Sequence, residues 1–143
     1  MPASNRYFNV GTCTFNPGTS VTFTGVQSVT ITKGIQLEPR KGGLDVYNTE
    51  ICVATRSPSI TIEFDAINKQ IALGTTAGTL SVVIPDSSNG ASGSGAITAT
   101  MTNAVPSQDQ ITAGHARYGT VSQTWIAKTS DGTTNPLSFS EAA

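Results

Sequence analysis

The sequence predicts a mainly β protein, a β-sandwich or barrel with one short helix and one long β-hairpin. Three observations carry that expectation. Apolar residues alternate with polar ones at a period of two in several separate segments. Turn-forming Gly, Pro, Asn and Asp punctuate those segments at short intervals. Charged residues make up only 12% of the chain, about half the ~25% usual for a soluble domain. Threonine and serine fill the gap. Threonine is β-branched and suits a pleated, half-buried surface. Such uncharged polar faces cost little to desolvate against another protein. The 143 residues suit one domain spanning 1–143, since two would each be poorly cored.

The clearest strand runs from Ser28 to Leu37. Val29, Ile31, Ile35 and Leu37 alternate there with Thr30, Thr32, Gly34 and Gln36, and Lys33 breaks the apolar face. Glu38-Pro39-Arg40-Lys41-Gly42-Gly43 then interrupts the pattern, because proline cannot donate to a ladder and glycine admits positive φ. The extended pattern resumes from Leu44 to Arg56, so these segments form a long hairpin with a charged tip. In its second arm Ile51 and Val53 share one face, with Glu50, Cys52 and Arg56 on the other. Ile60, Ile62 and Phe64 mark the next strand. Asp65 to Gly74 is the helix candidate: Asp65 caps it, Gly74 ends it in a left-handed conformation, and Ile67 and Ile71 make a narrow apolar stripe.

Leu80, Val82 and Ile84 form a strand stopped by Pro85-Asp86, and the Ser/Gly-rich 86–95 stretch is an exposed, mobile loop. Ile97, Ala99 and Met101 alternate with threonines in a strand ended by Val105-Pro106. Tyr118 to Lys128 is the last long strand, anchored by Trp125. Ser130-Asp131-Gly132 is a turn and Leu137-Ser138-Phe139 closes the chain. The sum is about seven to nine short strands and one helix.

The net charge of −1 and pI near 5.7 give no basic footprint for nucleic acid. No apolar run approaches the ~20 residues that span a bilayer, so no membrane anchor is expected. Met1 to Arg6 has no apolar core behind its positive charge and does not resemble a signal peptide. A cytoplasmic site of folding follows, where disulfides rarely form. No cofactor and no catalytic or metal site is expected. His115 is the single histidine and reads as a surface or interface residue. Gly90, Gly93 and Gly95 lack the Gly-Lys-Ser/Thr of a phosphate loop. Cys13 and Cys52 leave two readings open. Both are reduced, buried thiols, or they take part in an intersubunit disulfide formed after release from the cell, Cys52 being a thiol on a polar strand face.

The order of features resembles the tail tube proteins of tailed bacteriophages and related injection machines. The resemblance rests on the hairpin with its Glu38-Pro39-Arg40-Lys41-Gly42-Gly43 tip, on Ser59 to Phe64 leading into the helix, and on Thr79 to Ile84. Its most specific piece is the closing run from Trp125 through Asp131-Gly132 to Asn135-Pro136-Leu137. It implies a structural virion protein, made in the host bacterial cytoplasm, whose hexameric rings close a β-barrel lumen and stack into a tube. Tail sheath, baseplate and tail-terminator proteins are the implied partners. Genomic DNA would pass through the lumen without specific binding, which suits the scarcity of Lys and Arg. Lys33 to Val46 would reach the adjacent ring, with Glu38, Pro39, Arg40, Lys41, Gly42 and Gly43 as the inter-ring contacts. The other reading is a non-enzymatic β-sandwich binding module, such as a capsid decoration protein or an adhesin.

Overall fold

The computed structural model describes residues 10–44, 46–85, 96–129 and 131–141. In chain order its elements are β1 (Cys13–Asn16), β2 (Val21–Phe23), β3 (Ser28–Thr32), β4 (Ile35–Arg40), β5 (Glu50–Arg56), β6 (Ser59–Phe64), α1 (Ile67–Ile71), β7 (Gly78–Ile84), β8 (Ile97–Thr112), β9 (Thr120–Ala127) and β10 (Leu137–Glu141). Eight of these strands make one antiparallel sheet in the order β2-β1-β7-β8-β9-β6-β3, with β10 added on β8. Among the described residues, β4 and β5 pair only with each other.

The 16-residue strand β8 organises the body. Its first segment, Ile97 to Met101, is flanked by β7 and β10. Beyond Asn103, which sits at φ 53°, the strand leaves β10 and its Ala104–Thr112 segment pairs with β9. Asparagine tolerates that left-handed backbone better than most residues. The two flanks of the sheet therefore face one another. Phe15 of β1 and Phe23 of β2 meet Trp125 of β9 with ring centroids 5.7 and 5.4 Å apart, and Phe23 meets Phe64 of β6 at 4.6 Å. Between them lie Ile60, Ile62, Leu80, Val82, Met101 and Val121, all buried. The sheet does not close on itself: β2 and β3 are its two ends.

Ile60, Ile62, Phe64 and Trp125 take the inward positions that the alternation assigns them. Elsewhere the structure redraws the expected boundaries. The Ser28–Leu37 strand is two strands, because the chain turns at Gly34 with φ 63°. β3 then belongs to the body and pairs with β6. The Leu44–Arg56 segment is extended only from Glu50. β8 runs through Val105-Pro106 instead of ending there, since Pro106 stands at a register shift between Pro106 and Asp109, where the ladder is already interrupted.

The helix is shorter than expected and held differently. Ala66, not Asp65, is its N-cap and makes no side-chain cap bond. Gly74 is not among the residues at positive φ. The buried residue is Gln70, while Ile71 is exposed. The Gln70 amide donates to the carboxylate of Asp109 and to Gln123 Oε1 at 3.4 Å. Gln123 in turn donates to the carbonyls of Gln108 and Thr124 at 3.2 and 3.0 Å. A five-residue helix cannot hold itself in water; Ile67, half-buried against the core, keeps one half of the expected apolar stripe, and the amide clasp stands in for Ile71. The 86–95 loop lies outside the described residues.

Trp125 is fully buried, yet its indole N–H has no hydrogen-bond partner. Trp125→Ala is therefore expected to cost about 3–5 kcal/mol of unfolding free energy. Trp125→Phe should cost less than about 1.5 kcal/mol, because it also removes a buried unpaired donor. Urea unfolding followed by circular dichroism decides this, and equal losses for the two variants would contradict it.

A candidate assembly surface: the β4–β5 arm

Among the described residues no other strand pairs with β4 or β5, and every residue of both is exposed. The register sets the faces of this two-stranded arm. Leu37 is opposite Val53 and Pro39 is opposite Ile51, which puts four apolar side chains on one face. Glu38 is opposite Cys52 and Arg40 is opposite Glu50, which makes the other face charged. Leu37, Ile51 and Val53 are 55%, 62% and 47% exposed, an unusual state for such residues on one surface.

A register shift between Gln36 and Leu37 breaks the alternation at the root of the arm. It places Arg56 opposite Ile35, so Arg56 does not share the face of Glu50 and Cys52 as simple alternation expects. Bulges commonly re-aim a side chain in this way. The root itself is tightly built. The Ser57 N–H donates to the Gly34 carbonyl at 3.0 Å. A Cβ on Gly34 would come within 2.0 Å of the Ser57 carbonyl oxygen, so only glycine fits.

The six residues expected at the hairpin tip divide. Glu38, Pro39 and Arg40 are strand residues of β4, and Lys41, Gly42 and Gly43 open the turn. The Thr49 N–H closes that turn on the Arg40 carbonyl at 2.8 Å. Proline is tolerated in β4 because the strand has no second neighbour. The foremost residues are apolar: Leu44, Val46 and Tyr47 are 100%, 81% and 84% exposed. Sequence reasoning gave the tip a charged character and missed them. The signal was present, since three large apolar residues fall inside a turn with no element to bury them.

The cysteines stand in different settings. Cys13 is in the core, and burial pushes its thiol up to about 11. Cys52 is exposed on the charged arm face, its Sγ donating to Glu50 Oε1 at 3.4 Å. His115 is exposed in the β8–β9 connection, beside Ala116 at φ 58°. Among the described residues, no group of three or more His, Cys, Asp and Glu could hold a metal ion. No helix among them is long and apolar enough to cross a membrane. In the turn before β10, the Thr134 hydroxyl and the N–H groups of Thr134 and Thr133 donate to Asp131 and hold its carboxyl well below the usual range. This gives the Asp131-Gly132 turn its shape.

No protein-family model matches the sequence, and no curated protein matches it. Solved structures share its fold. A chain of the six-fold symmetrised cryo-EM structure of the anti-feeding prophage baseplate aligns over 99% of this chain and 97% of its own, with a TM-score of 0.55 and 15% identity. A chain of the anti-feeding prophage tube-terminating cap aligns over 99% and 93%, with a TM-score of 0.57 and 15% identity. The likeness extends over nearly the whole of each chain, and at that identity it is one of fold.

Three outcomes follow from this geometry. In native protein a thiol reagent should modify Cys52 at once and Cys13 only on unfolding. A folded-state pKa above the unfolded value also means that the Cys13 contribution to stability is intact below pH 9 and declines as pH rises towards about 11. Cys13→Ala should flatten that decline in a pH series of urea unfolding midpoints. For the arm root, Gly34→Ala should accelerate amide exchange at Ser57 by about tenfold or more while the amides of Ile62 and Trp125 keep their protection. Unchanged exchange at Ser57 would show that the close approach constrains nothing.

Proposed function

We propose that the chain is a structural, non-enzymatic component of a phage-tail-like particle, assembling into hexameric rings that stack into a tube through which DNA is conducted. The arm carries this reading. A compact body that buries its own core still projects a ribbon with an apolar face and an apolar tip in water, and only another protein surface relieves that exposure. The low charge of the sheet's outer faces supports the same conclusion. So does the fold shared with chains of an anti-feeding prophage baseplate and cap, since both come from an assembled particle. In this role the tip, Lys41 to Tyr47, reaches the neighbouring ring, and the open ends of the body sheet at β2 and β3 face neighbours within the ring. Sheath, baseplate and terminator proteins are further partners, and the location is the particle's tail.

The likeness to a baseplate chain and a cap chain favours a second reading, in which the protein starts or ends a tube and does not form its shaft. The two readings differ in what assembles. Negative-stain electron microscopy across a concentration series should show stacked rings or hollow filaments for a shaft subunit, and single rings for an end piece. A monodisperse monomer at every concentration would refute both. Deleting Lys41 to Gly43 should leave the melting temperature within about 2 °C, as for a change away from the core, and should abolish stacking. Normal filaments from that deletion would remove the role assigned to the tip.

A further inference from the structure

The arm root borders a cleft of about 360 Å³ whose floor is Ile35, Pro58, Leu137 and Phe139 and whose rim carries Lys33 and Arg56. The Lys33 ammonium stands 5.9 Å above the Phe139 ring, within cation–π range. The register shift in the arm puts Arg56 opposite Ile35, the floor residue of β4. No carboxylate lines the cleft. Ile35 and Phe139 remain 47% and 48% exposed. The site is therefore cationic at its rim and apolar at its floor, with no carboxylate among the described residues that line it. An occupant that suits it is slender, extended and doubly acidic.

The chain itself carries such an element. Among the other described carboxylates, Glu63 accepts a hydrogen bond from Ser28, Asp65 from Gln27 and Asp109 from Gln70, Asp131 is enclosed by its own turn, and Glu141 is the single carboxylate of β10, at its end. Glu38 and Glu50 share the exposed charged face of the arm, on neighbouring strands two register positions apart, with Glu50 also accepting from the Cys52 thiol beside it. Arg40 is the only cation of that face, leaving two carboxylates against one guanidinium. We propose that the cleft at the arm root is the acceptor for the charged arm face of a second copy, Glu38 and Glu50 of one subunit meeting Lys33 and Arg56 of the next. This rests on the self-assembly reading. The contact joins two different patches, so each subunit both gives and receives, and the chain of contacts continues without closing.

Charge reversal in the full-length chain tests it, read as the lowest protein concentration at which assemblies sediment. Lys33→Glu with Arg56→Glu should raise that concentration by about tenfold or more, because like charges then face each other across the contact. Glu38→Lys with Glu50→Lys should do the same. All four changes together should return it to within about threefold of the wild type, since the pairing is restored with its signs exchanged. Thermal melting of each variant reports whether the body is intact. If a reversal disturbs the root, Lys33→Gln with Arg56→Gln removes the charge alone and should still raise the threshold. Root variants that assemble at the wild-type concentration, or a quadruple variant that is not rescued, would overturn the pairing while leaving self-assembly in place. A wild-type chain that never assembles would overturn both.

Discussion

The body depends on the contact between Trp125 and the two phenylalanines of β1 and β2. A single antiparallel sheet has two faces and, left open, would wet one of them. Here β8 leaves its first partners beyond Asn103 and carries β9 and β6 across the face of β1 and β2. The bend is useful only if the approaching surfaces bury enough area, and aromatic side chains bury the most per residue. Phe15, Phe23, Phe64 and Trp125 supply that area within ring-to-ring distances of 4.6 to 5.7 Å. The apolar strands β6 and β7 fill the remaining space.

That arrangement has no place for the arm. The folded sheet has its core filled from both flanks, and Pro58 is the first buried residue on the way in from β5. A two-stranded ribbon alone is marginal in water. It holds its direction here because Gly34 and Ser57 lock its root to the body within a close backbone contact. The stability of the body is thus used to hold an otherwise weak element in a fixed pose, with its apolar face ready for a partner. Little ordering is then left for the moment of association, which favours binding.

Much of the body was legible in the sequence because period-two alternation is a local signal. Ser59 to Phe64 and the Trp125 strand read correctly for that reason. What the sequence concealed were events that depend on other parts of the chain. Lys33 marks a local break in the apolar face of the Ser28–Leu37 run, but nothing local shows that the chain leaves the body sheet there. The break follows from the approach of Ser57, twenty-three residues on. Nor does local pattern show that β8 passes through Pro106, which is tolerated only because the ladder to β9 shifts there. The helix was found by its position but only in part by its mechanism: Ile67 packs against the core as the stripe suggested, but Ile71 is exposed and Gln70 makes the second attachment through Asp109 and Gln123. For the arm, the alternation of Ile51, Cys52 and Val53 gave the faces correctly. One register shift then moved Arg56, and no pattern in a single strand can reveal a shift between two.

The arm also shows how a free ribbon avoids indiscriminate pairing. Both of its outer edges carry unpaired backbone groups, the template by which β proteins aggregate. Pro39 removes one donor from β4, charged Glu38 and Arg40 flank it, and the register shift at Gln36/Leu37 distorts the ladder near the root. Each of these makes strand addition along the edge less favourable. The side-chain faces remain open, one apolar and one charged. A partner is thereby directed to the faces and away from the edges. Contact through faces is set by side-chain chemistry and so can be specific to one surface, whereas edge pairing would accept almost any extended chain. In this chain a proline, two charges and one irregular register step supply that distinction.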